Sequence, residues 1–202
     1  MSKLNVIKKL QILVVSHDAG GAQILSSYIK KKNINCHYLL SGPAIEIFRS
    51  KLKDINKHKK KIKKKFNLLI TGTSYKNKSE VKYLKMARER GIYSISFLDS
   101  WVNYKRRFKL FNKYYYPDEM IVYDKESLKI AKKAFKKKAK ITKINNPYLS
   151  SFKIKNTKKN NYLVYLSSNF DLTKKINISD KALFINFLKK IDTYIKNQDI
   201  KR

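Results

Sequence analysis

ILVVSHDAGGAQIL, residues 12–25, sets four apolar residues in front of Ser16-His17-Asp18, then the pair Gly20-Gly21, then a helical pattern. A short continuous apolar run that breaks into a glycine turn and a helix is the signature of a buried strand entering its crossover. The chain has only five glycines and three histidines, so two of the former beside one of the latter call for a reason. In an open parallel sheet, ligands sit beyond the carboxyl ends of the strands. Glycines let the backbone turn sharply and approach a ligand closely. The first N–H groups of the next helix attract an anion such as a phosphate or carboxylate. The stretch is not G-x-G-x-x-G, so the dinucleotide fingerprint is absent. A plain strand–helix turn capped by Asp18 is the other reading.

The same grammar recurs along the chain. Residues 11–16 (QILVVS), 35–41 (NCHYLLS), 66–74 (FNLLITGTS), 92–99 (IYSISFLD), 120–124 (MIVYD) and 140–145 (KITKIN) read as strands. Helical patterns fall between them, at 22–32, after Gly42-Pro43 with Ile45, Phe48 and Leu52 on one face, at 79–90, and at 125–138. Strands that alternate with helices, and that are apolar throughout rather than every second residue, imply a parallel sheet covered on both faces. The expected fold is α/β: a Rossmann-like, doubly wound, mainly parallel sheet over residues 1–157. KKNN at 158–161 divides it from residues 158–202. There, 161–169 (NYLVYLSSN) reads as a strand. Residues 179–198 read as a helix striped by Phe184, Phe187, Leu188, Ile191 and Ile195. These residues are either the start of an incomplete second domain or a strand and helix that pack back on the first.

Composition narrows the classes. A hydrophobic fraction of 43% fits a globular chain and argues against disorder. One cysteine, Cys36, rules out an intrachain disulfide framework and fits a reducing cytoplasm. No apolar run approaches the ~20 residues of a membrane-spanning helix, and no signal peptide is legible. His17, His37, His58 and Cys36 have no metal-ligand spacing, and no cofactor motif is present. The net charge of +34 suits nucleic acid or an anionic membrane surface. It also suits an AT-rich coding bias, because lysine far outnumbers the six arginines and arginine is the usual bidentate reader of phosphate.

A second polar cluster leaves strand four. SFLDSWVNYKRRF, 96–108, presents Asp99, the only tryptophan Trp101, Asn103, Tyr104, Arg106 and Arg107. A sugar stacks its C–H face on an aromatic ring, its hydroxyls seek Asp and Asn, and a diphosphate seeks arginine. The alternative is a core-anchored loop with solvated arginines. Thr73 and Ser74 end strand three, and Asn146 in NNPYL (145–149) ends strand six. Gly20, Gly21, Thr73, Ser74, Trp101, Asn103, Tyr104, Arg107 and Asn146 are therefore the candidate substrate-binding residues along one edge.

Taken together, SHDAGGAQI, LLITGTS, SISFLDSWVNYKRRF, PDEMIVYD and NNPYL resemble the N-terminal half of GT-B glycosyltransferases of the bacterial surface-polysaccharide type. They are also similar to the sugar-nucleotide 2-epimerase-like superfamily. The resemblance spans roughly residues 10 to 170. It implies a first domain that holds the acceptor, with His17 at the general-base position and Asp18 or Asp99 orienting the imidazole. It also implies a nucleotide-sugar donor held by a C-terminal domain, for which residues 158–202 are too few. The expectation is a truncated member, a chain completed by a second polypeptide, or a protein that binds without transfer. A cytoplasmic location is expected, with peripheral contact at the inner face of the membrane through Lys59–Lys65 on anionic lipid. A basic nucleic-acid-binding protein remains the alternative.

Overall fold

The computed structural model describes residues 10–52, 55, 66–152, 165 and 180–197. The basic run 53–65, apart from Ile55, the divide at 158–161 and the strand expected at 161–169, apart from Tyr165, lie outside them. The chain divides into two compact units, Met1–Ile154 and Lys155–Arg202.

The first unit opens with β1 (Ile12–Ser16), α1 (Ala19–Lys32), β2 (His37–Leu40), α2 (Ala44–Lys51), β3 (Leu68–Thr71), α3 (Ser79–Glu89) and β4 (Tyr93–Phe97). A short helical turn α4 (Tyr104–Arg107) and a small antiparallel hairpin, β5 (Lys109–Leu110) and β6 (Lys113–Tyr114), follow. Then come β7 (Glu119–Val122), α5 (Lys125–Phe135) and β8 (Lys140–Lys143). Six strands pair in parallel in the order β2-β1-β3-β4-β7-β8. This is the doubly wound α/β architecture the sequence implies. The hairpin at 109–114 is an addition, because two-residue strands leave no periodic trace.

The apolar runs are continuous because both faces are covered. Ile12 and Val14 face α1 and α2, where Leu25, Ile29, Ala44 and Phe48 are fully or almost fully buried. Leu13 and Val15, one residue out of phase, join Leu84 and Ala87 of α3 and Ala131 and Phe135 of α5 on the other face. Each buried Val, Leu, Ile or Phe side chain among them contributes about 1.5–3 kcal/mol over its exposed state. The register aligns Val14 with Tyr38 on one side and Ile70 on the other, and Ile70 with Ile95.

Strand order reverses direction at β1: β2 lies on one flank and β3 on the other. Helices α1 and α3 accordingly leave the neighbouring strands β1 and β3 for opposite faces, the topology at which open α/β sheets bind ligands beyond their carboxyl ends. Asp124 closes the same edge at α5 through a capping box. It accepts the Ser127 N–H at 2.6 Å, while the Ser127 hydroxyl accepts the Asp124 N–H at 3.2 Å.

In the second unit, α6 (Asp180–Asn197) occupies nearly the range its stripe predicts. Tyr165 packs its ring on Phe184 and Phe187, with centroids 5.0 and 4.6 Å away. No helix among the described residues is long and apolar enough to cross a membrane.

Candidate functional site

The residues at the switch point begin with His17. Its Nδ1 lies 2.7 Å from Asp18 Oδ1. A carboxylate is an acceptor, so Nδ1 carries a proton, and in the neutral imidazole that leaves the lone pair on Nε2. Asp18 is therefore not the capping side chain the turn suggests. It precedes α1 in extended conformation and makes no side-chain bond to the helix's first turn. Nε2 faces the α-carbon of Gly42, where a Cβ would stand only 2.7 Å away. Gly42 also has φ +54°, a conformation that side chains resist. The turn after β2 thus leaves room for the imidazole because it carries no side chain.

Glu80, on the first turn of α3, holds the loops after β1 and β3 together. Its side chain is buried. Oε1 accepts the His17 N–H at 3.2 Å and Oε2 accepts the Ser74 N–H at 2.8 Å. Burial raises its carboxyl above the ordinary 4.5, the bonds from Ser74 and His17 pull it back, and the charge of Asp18 adds to the rise. Glu80 escapes sequence reasoning because it reads as one more charged residue at a helix start. The usable signal was its place in SEVKYL: the next helical turn on that face brings Leu84 and Ala87, both buried.

Asp99 and Arg107 form the second half. Arg107 Nη1 donates to Asp99 Oδ1 at 2.7 Å, and both side chains are about nine-tenths buried. The guanidinium also donates to the carbonyl of Thr73 and, through Nε, to the carbonyl of Val102 at 3.2 Å. Burial pushes the Asp99 carboxyl above its ordinary range, against the pull of Arg107 and with the charge of Asp18 adding to it. Thr73 is buried and donates its hydroxyl to the Phe97 carbonyl at 3.1 Å, which ties β3 to β4 at the rim.

The glycine pair now has its reason. Gly20 lies against Asp99, where a Cβ would stand 2.5 Å from Oδ2. Gly21 lies against the backbone of Gly72 and Thr73, at 3.4 and 3.7 Å from such a Cβ. Two bare positions let the start of α1 lean on the ends of β3 and β4.

The remaining sequence candidates fall in different places. Trp101 is 58% exposed, and its indole N–H donates to Asp124 Oδ2 at 3.1 Å. One ring thus lies near the start of α5 with surface open to solvent. Asn103 is exposed in left-handed conformation ahead of α4. Tyr104 is a core residue: its ring stacks on Phe135 at 5.9 Å and 8°. Its hydroxyl is buried without a partner among the described residues, as is that of Tyr123. Burial is the first cause that raises both phenols, Tyr104 to about 12, and the charge of Asp99 adds to each. Asn146 accepts the N–H groups of Tyr148 and Leu149 at 3.0 and 3.1 Å. It shapes its own turn and makes no described bond to His17 or Trp101. The structure therefore bonds the His17, Thr73-Ser74 and Asp99–Arg107 segments to one another directly, and no described hydrogen bond ties Asn146 to them.

Four of the chain's 14 carboxylates, Asp18, Glu80, Asp99 and Asp124, line this edge of a protein with net charge +34. Among the described residues, no three His, Cys, Asp or Glu side chains group to hold a metal ion. Comparison with protein-family models, with curated proteins and with solved structures returns no match.

Proposed function

We propose that this edge binds a hydroxyl-bearing sugar acceptor. On this reading the chain is a glycosyltransferase-like protein of cell-surface polysaccharide biosynthesis that works with a nucleotide-sugar donor. The observation that carries the reading is the 2.7 Å contact between His17 Nδ1 and Asp18. It orients the imidazole with Nε2 as proton acceptor, the arrangement a general base requires. In transfer, Nε2 takes the proton of an acceptor hydroxyl and Asp18 stabilises the imidazolium. The acceptor oxygen forms a bond to the anomeric carbon of the donor sugar. The carbon–oxygen bond to the diphosphate breaks, and the nucleoside diphosphate leaves with the electron pair.

Electrostatics support the acceptor role over the donor role. Clustered carboxylates repel a diphosphate, and Arg107 is already held by Asp99 and two carbonyls. The same observation favours a second reading, in which the chain binds a glycan and leaves transfer to a donor domain on a second polypeptide.

The test incubates the full chain with uridine diphosphate sugars and glycan acceptors. It follows uridine diphosphate release and thermal shift. His17→Ala is expected to lower release by about 10²–10⁴-fold with an unchanged melting temperature. Equal turnover in that variant removes His17 from the chemistry. A thermal shift by acceptors without release in the wild type selects the binding-only reading. Acceptor shifts that persist undiminished in both Asp18→Asn and Trp101→Ala overturn the assignment of this edge.

A further inference from the structure

A cavity of about 670 Å³ opens at the other end of the sheet, against the amino ends of β4 and β7. It is lined by Arg88 at the end of α3, Tyr93 at the start of β4, Tyr114 and Tyr116 after the hairpin, Asp118, and Lys138 beyond α5. Nothing in the proposed acceptor chemistry uses it.

The lining offers three different chemistries in one place. Tyr114 and Tyr116 stack on each other at 5.8 Å and 13°, and Tyr93 and Tyr114 are each more than two-fifths exposed. Open aromatic faces beside cations are how proteins hold nucleobases without reading their edges. Arg88 is exposed, and its guanidinium has no ion pair or hydrogen bond among the described residues. Lys138 reaches over the Tyr116 ring with its Nζ 5.4 Å from the centroid. These two cations suit a phosphate. Asp118 would oppose a phosphate, but a carboxylate is what a ribose diol seeks. Its Oδ2 is fixed by the Ser94 N–H at 2.8 Å and the Ser94 hydroxyl at 2.9 Å. That leaves Oδ1 without a described donor. A bare anion would use the cations alone, and a neutral sugar would use the carboxylate and rings alone.

We propose that this groove binds a ribonucleoside phosphate, with the base on the tyrosine faces, the ribose hydroxyls on Asp118 and the phosphate between Arg88 and Lys138. The moiety is either a free nucleotide or part of a single-stranded RNA.

The experiment titrates the full chain with adenosine 5′-monophosphate, ribose 5-phosphate and an oligoadenylate of about eight nucleotides. Arg88→Glu/Lys138→Glu is titrated in parallel. Both side chains are exposed, so the variant is expected to keep the wild-type circular dichroism and melting curve. Saturable binding of the mononucleotide, about tenfold tighter than ribose 5-phosphate and about tenfold weaker in the double variant, supports the proposal. Oligoadenylate binding that is tighter than the mononucleotide and lost in the same variant supports it with RNA as the source. Mononucleotide and ribose 5-phosphate binding alike overturns it. So does binding that the charge reversal leaves untouched, or no binding at millimolar ligand. His17→Ala is expected to bind all three as the wild type does, so failure here and failure at the carboxyl edge are read separately.

Discussion

The carboxylate of Glu80 accepts the main-chain N–H of His17 at 3.2 Å across 63 residues of sequence. With its other oxygen on the Ser74 N–H, it clamps the first and third crossovers at the point where the sheet changes direction. Glu80→Ala orphans two N–H groups, at a cost of about 1–3 kcal/mol each. Chemical denaturation of the variant checks this, and a loss within ±0.5 kcal/mol of zero, as for a neutral surface change, would show that the clamp is idle.

The same residue predicts a pH dependence. Burial holds the Glu80 carboxyl above the ordinary 4.5 in the folded chain. Between the ordinary value and the raised one, the folded state binds more protons than the unfolded state, so stability falls as pH rises through that interval. The contribution is fully present below about 4.5 and lost above the folded value. Melting temperatures of the wild type minus those of Glu80→Gln should therefore decline as pH rises above 4.5. Parallel profiles would contradict the assignment.

Gly42→Ala places a methyl group 2.7 Å from His17 Nε2 at a residue with φ +54°. The left-handed backbone alone costs roughly 1–2 kcal/mol, and the imidazole must turn away from Asp18 or the loop must move. A lowered melting temperature together with a changed His17 imidazole resonance in nuclear magnetic resonance is the expected result. An unchanged resonance would separate Gly42 from the histidine.

Arg107→Ala leaves the Asp99 carboxylate buried without its partner. Removing one member of a buried pair typically costs about 3–5 kcal/mol. Removing both members should cost less than the sum of the single changes, because the unpaired charge is then gone. Denaturation of the two single variants and the double variant measures this, and additive losses would mean that the pair does not couple.

Cys36 is 3% exposed, and burial pushes its thiol up to about 12. The thiolate is the reactive form. Alkylation near neutral pH should therefore be slow in the folded chain and fast once denaturant opens it. Rapid labelling without denaturant would place Cys36 outside the core.

The amino-acid sequence by itself determined the α/β alternation, the parallel sheet and its two covered faces, because local periodicity records what each strand and helix buries. It also marked His17, Asp18, Thr73 and Asp99 as strand-end residues, because turn chemistry is local. Only the tertiary structure decided which of them meet. Strand order set β1 beside β3 and aimed Glu80 inward, gave Arg107 to Asp99, turned Tyr104 into the core, and placed Gly42 against the imidazole. Apart from Asp99 and Arg107, which lie eight residues apart, those choices join residues tens of positions apart through packing and burial, and no repeat along a single element carries them. The amino-end groove was hidden for the same reason: Arg88, Tyr93, Asp118 and Lys138 come from separate segments that only the folded sheet brings together.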